Sequence, residues 1–287
     1  MKGIWAAVLT PIDEHDSPDA GCALPYYRVL LQRGCDGIAV LGTTGEAMSF
    51  SVEQRVRYME AIASSDLPIH RMMAGTGAAS LADAVRLTRA AFAHGFKAAL
   101  VMPPFFFRDA GDDGILAFFD ALFSQVNPPA SGVLLYNFPR MSGITFHLAL
   151  VERLLTAFPQ VIAGIKDSSN DARLQVELLA RHPQLRVFPG SERDLLDAKR
   201  RGAAGCISGS VALWPELAAA VYAGENENDA AELARRRDSL GALPFIPAVR
   251  YLVARECGSE QWERAMAPHM PLTAKERCAE APQGECG

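Results

Sequence analysis

Lysine is scarce in this sequence of 287 residues, because arginine supplies 23 of its 28 basic side chains and lysine only five. Solvation and ion pairing can be served by either residue type, whereas only lysine can act as a nucleophilic amine. One of the five, Lys166, lies at the end of the apolar run "VIAGIKD" at residues 161–167. A buried cation costs free energy unless it is paired or neutral, so this position indicates either amine chemistry or a partner such as Asp167.

Long apolar runs and paired cysteines are also missing. No stretch approaches the roughly 18 apolar residues of a membrane span, and the start, "MKGIWAAVLTPIDEHD", favours a first β-strand over a signal peptide. The net charge of −5 argues against binding to a nucleic-acid backbone. Because no C-x-x-C pair occurs, we expect neither a zinc site nor a disulfide framework but reduced thiols in a cytoplasmic protein; the cysteines are Cys22, Cys35, Cys206, Cys257, Cys278 and Cys286.

Several cofactor and hydrolase motifs are absent or incomplete. The glycine-rich "GTTGE" at 42–46 is not followed by G-K-[ST], and "GTGAAS" at 75–80 lacks the third glycine of a dinucleotide fingerprint. The segment "GCISG" has the wrong spacing for a serine nucleophile elbow. The six histidines form no metal-ligand pattern. The sequence therefore predicts no metal and no cofactor, and it disfavours a serine hydrolase and a metal-dependent aldolase.

Short apolar runs alternate with segments of helical periodicity along most of the chain. Such alternation is typical of a parallel sheet covered by helices. Ser51 and Ser80 are expected as helix N-caps, and Gly95 as the residue that ends a helix. Eight units of this kind predict an α/β fold of the (β/α)8 TIM barrel type, with a doubly wound sheet as the alternative; the eight runs span residues 3–12, 37–45, 69–77, 98–105, 132–139, 161–167, 185–191 and 204–210.

The strand pattern is lost after about residue 223. We therefore expect a catalytic barrel over residues 1–223 and a small C-terminal helical region over residues 224–287. The final residues, "APQGECG", are polar and predict a disordered tail, in which Cys286 is exposed, as is Cys278 just before it.

Catalytic groups of such barrels occupy the carboxyl ends of the strands. Polar side chains end three of the predicted strands, whereas Lys97 lies at the start of its strand, on the face that serves stability. A tyrosine in such a place either packs and hydrogen-bonds or carries protons beside a reactive amine. The strand-end residues are Thr43, Thr44 and Glu46 after strand 2, Tyr136 and Asn137 after strand 5, and Lys166 after strand 6.

The segments "GTTGE", "YNFP" and "GIKD", in this order, resemble the class I aldolase family that includes dihydrodipicolinate synthase and N-acetylneuraminate lyase. "PGSE" and "GCISGS" also fit strands 7 and 8 of that family. The resemblance covers about residues 3–223, and the C-terminal helical region is similar in kind. It implies a Schiff-base enzyme that acts on a 2-keto acid, usually pyruvate, together with an aldehyde, and it suggests a homotetramer.

The resemblance also implies roles for individual residues. Lys166 would form the Schiff base, and Tyr136 would carry protons to and from the substrate. Thr43 would orient Tyr136 and would hold the keto-acid carboxylate together with Thr44. The backbone at Ile207 would line the keto-acid pocket. Three further residues are assigned to substrate binding: Gly190 and Glu192 of "PGSE", with Glu192 accepting hydrogen bonds from substrate hydroxyls, and Arg140, for which an ordinary surface position is the alternative.

Two departures from the synthase pattern bear on the substrate. Met141 occupies the position where these synthases carry an arginine for the second carboxylate, and residues 105–107 are phenylalanines where a tyrosine would complete a proton relay. We therefore expect an enzyme nearer the 2-keto-3-deoxy sugar-acid aldolases, which release pyruvate and an aldehyde. Dihydrodipicolinate synthase, a dehydratase of a keto-deoxy acid and a non-catalytic keto-acid-binding protein remain the alternatives.

Overall fold

Eight parallel strands form a nearly closed barrel, as the alternation of apolar runs predicts. A computed structural model describes residues 1–280, with side chains to residue 277. The ladders run in the order β7-β6-β5-β4-β3-β2-β1-β8, and the Ala204 amide donates to the Val187 carbonyl at 2.9 Å where β7 meets β8. The strands are β1 Gly3–Ala7, β2 Gly37–Val40, β3 Met72–Gly75, β4 Ala98–Val101, β5 Val133–Asn137, β6 Ile162–Asp167, β7 Arg186–Pro189 and β8 Gly205–Ser208.

Helices surround the barrel and continue beyond its last strand. Short 3₁₀ turns also occur, one of them at Ala47–Ser49 directly after the "GTTGE" loop. The α-helices are α1 Ala20–Gln32, α2 Val52–Ala63, α3 Leu81–Ala93, α4 Asp112–Val126, α5 Pro139–Ser142, α6 Leu148–Ala157, α7 Ala172–Arg181, α8 Leu195–Arg200, α9 Pro215–Ala223, α10 Glu227–Ser239, α11 Phe245–Cys257 and α12 Ala274–Glu280.

The helix boundaries have local causes that the sequence already indicates. The Ser51 hydroxyl oxygen accepts a hydrogen bond from the Gln54 amide, and the Ser51 amide donates to Gln54 Oε1, which satisfies two amides at the start of α2. Ser80 accepts from the Asp83 amide in the same way at the start of α3. Gly95 follows the end of α3 with φ of +81°, a conformation that glycine adopts without strain. The three capping predictions are confirmed.

Side chains alternate between two separate cores along each strand. In β5, Leu134 and Tyr136 belong to an apolar cluster inside the barrel, whereas Val133 and Leu135 pack in the larger layer between barrel and helices. Such alternation follows from the two-residue period of a strand. The inner cluster leaves the carboxyl ends of the strands as the place where polar groups meet.

The C-terminal helices attach to the barrel mouth through a buried ion pair. Arg250 of α11 is 1% exposed and donates to the carboxylate of Glu46, to the Thr10 carbonyl at 3.0 Å and to the Trp262 carbonyl at 3.1 Å. Helix α10 packs against α8 and α9. The division into two regions at residue 223 stays a prediction, the tail of residues 281–287 lies outside the described residues, and so does the side chain of Cys278.

We predict that Arg250→Met lowers the free energy of unfolding by about 3–5 kcal/mol, because it leaves the Glu46 carboxylate buried without its counter-ion. Urea unfolding followed by circular dichroism measures the change. Arg193→Met is the control, since Arg193 forms an exposed ion pair with Asp238 at 2.8 Å and its loss should change stability little. Equal effects of the two substitutions would contradict the importance of the buried pair.

Candidate active site

One cavity opens at the carboxyl ends of the strands and contains most of the predicted site residues. Its volume is about 620 Å³. Six of the predicted residues line it: Thr43, Thr44, Tyr136, Arg140, Lys166 and Gly190. The structure therefore brings together residues that lie more than 100 positions apart in the chain, because the strands that precede them are parallel and end at the same mouth of one barrel.

Lys166 lies on the inner face of β6 and is only 4% exposed. Its Nζ lies 4.3 Å from the centre of the Tyr136 ring, the residue opposite it on β5. Within residues 1–280 no carboxylate lies within 4.0 Å of this amine, and Asp167 instead accepts hydrogen bonds from Asn137 and Gln175. The alternative that Lys166 is held in an ion pair with Asp167 is therefore not supported, and the amine is free to meet a ligand.

A pair of hydroxyl groups belongs to residues that line the same cavity as the amine. The Tyr136 hydroxyl and Thr43 Oγ1 are 3.1 Å apart, and Tyr136 is 4% exposed. The loop that carries Thr43 and Thr44 is closed by a hydrogen bond from the Glu46 amide to the Thr43 carbonyl at 3.0 Å. Across the cavity, a Cβ at Gly209 would come within 2.7 Å of Thr44 Oγ1, so glycine there preserves the space around that hydroxyl.

Gly190 and Arg140 contribute to the cavity wall from the ends of β7 and β5. A Cβ at Gly190 would lie 2.0 Å from Ser168 Oγ, so only glycine fits between the ends of β6 and β7. Arg140 belongs to the short helix α5, is exposed, and has its guanidinium carbon 5.9 Å from the centre of the Phe138 ring. Both residues line the cavity, and their roles in substrate binding stay predictions.

Ile207 and Glu192 do not line the cavity. Ile207 is fully buried in the cluster inside the barrel, which also contains Tyr136. Glu192 is also fully buried, and neither of its carboxylate oxygens has a hydrogen-bond partner within the described residues. Our expectation that Glu192 stands at the rim of strand 7 is corrected, because its side chain is enclosed by the protein and does not line the cavity.

Arg237 of α10 is a cavity residue that the sequence analysis missed. Its guanidinium carbon lies 4.8 Å from the centre of the Phe245 ring, and its buried Nε has no hydrogen-bond partner in the part of the chain that the structure describes. The run "RRRD" at 235–238 gives no local signal for which arginine turns toward the barrel. With Arg140, this residue makes the cavity cationic, since no aspartate or glutamate lines it.

A second, mostly apolar cavity adjoins the first at Thr43 and Tyr136. Its volume is about 390 Å³, and Met102, Phe105 and Met141 contribute to its wall. Phe106 and Phe107 are exposed to solvent at 74% and 68%. Phe105 and Met141 thus lie at the site, where the sequence analysis expects a tyrosine and an arginine in a synthase.

Two further properties concern residues 1–280 as a whole. No group of three or more histidine, cysteine, aspartate or glutamate side chains is arranged to hold a metal ion among residues 1–277, the part of the chain with described side chains. Likewise, none of its helices has the length and apolar composition needed to cross a bilayer.

The family model of the dihydrodipicolinate synthetase family matches residues 1–279. The chain belongs to this family. An "uncharacterized DapA-like lyase" of Chloroflexus aurantiacus is 36% identical over 289 residues, which cover 97% of this chain and 94% of that protein. The chain is accordingly an enzyme of the lyase class.

Solved structures of this family have the same fold as the chain. Dihydrodipicolinate synthase from Agrobacterium tumefaciens has a TM-score of 0.90 at 30% identity, over 97% of this chain and 96% of that one. The chloride-inhibited dihydrodipicolinate synthase from Acinetobacter baumannii, solved in complex with pyruvate, has a TM-score of 0.81 at 26% identity, over 96% and 95%. The match extends through the C-terminal helices as well as the barrel.

We predict that Tyr136→Phe lowers kcat by roughly 10²–10⁴, the usual effect of removing a general acid–base. The ring and its contact with Lys166 remain, so the loss reports on the hydroxyl alone. Tyr222→Phe serves as the control, because the Tyr222 hydroxyl donates to the Ala204 carbonyl at 2.9 Å and does not line the cavity. A wild-type kcat in Tyr136→Phe would assign proton transfer to another group.

Proposed function

We propose that this lyase forms a Schiff base between Lys166 and a 2-keto acid, and reversibly cleaves a 2-keto-3-deoxy sugar acid or a related hydroxy keto acid to pyruvate and an aldehyde. The observation that carries this proposal is the unpaired amine of Lys166, 4.3 Å from the ring of Tyr136. The family membership and the pyruvate complex of the A. baumannii relative support the choice of keto acid.

The proposed reaction begins when Lys166 Nζ attacks the C2 carbonyl of the keto acid. Loss of water gives an iminium ion, which draws electrons from the adjacent carbon. Removal of the proton from the C4 hydroxyl then breaks the C3–C4 bond, the aldehyde departs, and the electron pair remains on C3 as an enamine. Protonation of C3 and addition of water release pyruvate and restore the amine.

Tyr136 is the group best placed to carry the protons of these steps. The centre of its ring lies 4.3 Å from the amine, and the 3.1 Å contact of its hydroxyl with Thr43 fixes the direction of the phenol. Thr43 and Thr44 offer two hydroxyls for the keto-acid carboxylate. No step of the proposal needs a metal or a cofactor, because the iminium ion itself accepts the electrons.

The charge of the cavity refines the proposal for the aldehyde portion. The first carboxylate of the substrate is assigned to the threonines, which leaves Arg237 and Arg140 near the mouth without an acidic partner among the lining residues. Guanidinium groups bind carboxylates and phosphates through paired hydrogen bonds. We therefore propose that the far end of the substrate carries an anionic group. Glu192 is buried outside the cavity lining and does not bind the substrate hydroxyls in this proposal.

Dihydrodipicolinate synthase itself is the second candidate. It is favoured by the similarity to the A. tumefaciens synthase over almost the whole chain. It is also favoured by Arg140, whose guanidinium can donate hydrogen bonds to the second carboxylate. Against it stand Met141 and the three phenylalanines at 105–107, which provide neither the guanidinium nor the phenol of the synthase pattern. A homotetramer stays a proposal from family membership.

We predict that sodium borohydride in the presence of pyruvate adds a reduced pyruvyl group to the wild type and none to Lys166→Arg, because guanidinium cannot act as the attacking amine. Intact-mass spectrometry measures the adduct. Lys97→Arg is the matched control, since Lys97 is exposed and precedes β4 at the opposite end of the barrel. A full adduct on Lys166→Arg would remove Lys166 from the mechanism, and none on the wild type would contradict the proposed function.

We further predict that 2-keto-3-deoxy acids with an acidic far end release pyruvate with a lower KM than analogues with a neutral end. Arg237→Gln should raise the KM of the acidic substrates by roughly 10- to 150-fold. This factor corresponds to the loss of a charge-assisted hydrogen bond worth about 1.5–3 kcal/mol. Arg236→Gln on the same helix is the control, because Arg236 Nε donates to Glu232 at 2.6 Å.

An assay with pyruvate and aspartate semialdehyde separates the two candidate functions. The lyase proposal expects little condensation of pyruvate with aspartate semialdehyde. Condensation with a kcat/KM above about 10⁴ M⁻¹s⁻¹, in the ordinary range of enzymes, would favour the synthase. An unchanged KM in Arg237→Gln for every acidic substrate would refute the anion-binding role of Arg237.

A further inference from the structure

Two buried polar side chains pair directly behind the proposed catalytic residues. Asn137 follows Tyr136 on β5, and Asp167 follows Lys166 on β6. Asn137 Nδ2 donates to Asp167 Oδ1 at 2.7 Å, and the two residues are 0% and 1% exposed. Because side chains alternate along a strand, this pair points away from the barrel interior while Tyr136 and Lys166 point into it.

The pair belongs to a small network of satisfied hydrogen bonds. Asp167 also accepts from Gln175 Nε2 at 2.7 Å and from the Ser169 amide at 3.3 Å, while Asn137 Oδ1 accepts from the Phe146 amide at 3.0 Å. Buried networks of this kind are rigid because each member would be costly to leave unpaired. The network therefore holds the ends of β5 and β6 together without involving the Lys166 amine.

The ladder between these strands has an irregularity that makes its alignment important. Val133 pairs with Ile162 and Leu134 pairs with Gly164, so β6 contains one extra residue, Ala163, at this point. Beyond it, Tyr136 opposes Lys166 and Asn137 opposes Asp167. A ladder continued from Val133 and Ile162 without this bulge would put Ile165 opposite Tyr136 and turn Lys166 to the other face.

We propose that Asn137 and Asp167 are positioning residues, whose hydrogen bond fixes the alignment of β5 and β6 beyond the bulge and so keeps Lys166 opposite Tyr136. The proposal rests on the proposed function, in which Lys166 forms the Schiff base. Gly164 contributes to the same alignment, because a Cβ there would lie 2.2 Å from the Arg186 carbonyl oxygen of β7. The role of Asp167 is then geometric rather than that of a counter-ion for the amine.

The test compares the rate of borohydride trapping with pyruvate in four variants, each checked for folding by circular dichroism and thermal unfolding. Asn137→Asp puts two carboxylates face to face and should slow trapping about 100-fold, the scale of a misplaced reactive group. Asp167→Asn retains an oxygen that accepts from Asn137, so we expect trapping within about tenfold of the wild-type rate. The double variant that combines Asn137→Asp with Asp167→Asn reverses the direction of the hydrogen bond. It should recover most of the lost trapping rate.

Gln175→Ala is the matched control, because it removes a 2.7 Å bond to the same carboxylate but leaves the pair between the strands intact. It should lower thermal stability while trapping stays within about tenfold of the wild type, the limit set for Asp167→Asn. If Asn137→Asp does not fold, Asn137→Ser replaces it, since serine removes the bond without adding charge, and the same slow trapping is expected.

Three results would overturn the positioning role. Trapping at the wild-type rate in folded Asn137→Asp or Asn137→Ser would show that the bond is not needed. A folded double variant that is trapped as slowly as Asn137→Asp would show that restoring the hydrogen bond does not restore the site. An equally large loss of trapping rate in Asp167→Asn would show that the effect comes from the charge of Asp167 and not from the hydrogen bond. A wild type that forms no adduct would refute the proposed function as well, whereas the other results leave that function standing.

Discussion

The contact between the amine of Lys166 and the ring of Tyr136 is the constraint on which the candidate site depends. A lysine on the inner face of a parallel barrel is surrounded by apolar side chains from neighbouring strands, and here it has the face of an aromatic ring instead of a carboxylate as its partner. An acid in ion-pair contact would make the amine a poor nucleophile. The nearest acid in sequence, Asp167, is turned to the outer face and is occupied by amide donors.

The C-terminal helices are part of this arrangement although they contribute no strand. Arg250 of α11 holds Glu46, and Glu46 ends the loop that carries Thr43 and Thr44. Helix α10 contributes Arg237 to the wall of the same cavity. A boundary at residue 223 would therefore divide the chain without dividing the site. The Thr43 and Thr44 hydroxyls, which we propose bind the keto acid, depend on contacts from both sides of that boundary.

Family membership and local chemistry answer different questions about this enzyme. The match over residues 1–279 and the shared fold support a lyase, whereas the wall of the cavity bears on the substrate that we propose. That wall lacks an acidic side chain and presents Arg140 and Arg237, so electrostatics favour a substrate with two anionic ends. Met141 and Phe105 contribute to the apolar wall of the neighbouring cavity, where the synthase pattern has polar groups.

The sequence by itself determined the number and order of the strands, the helix caps at Ser51 and Ser80, and the positions of Thr43, Tyr136 and Lys166 at strand ends, because these depend on local spacing and capping chemistry. Only the tertiary structure decided that Glu192 is buried, that Arg237 rather than its neighbours reaches the cavity, and that a bulge at Ala163 brings Lys166 opposite Tyr136. Those outcomes depend on how distant elements align, and a shift of a single residue, which leaves the local pattern unchanged, reverses the face on which a side chain lies.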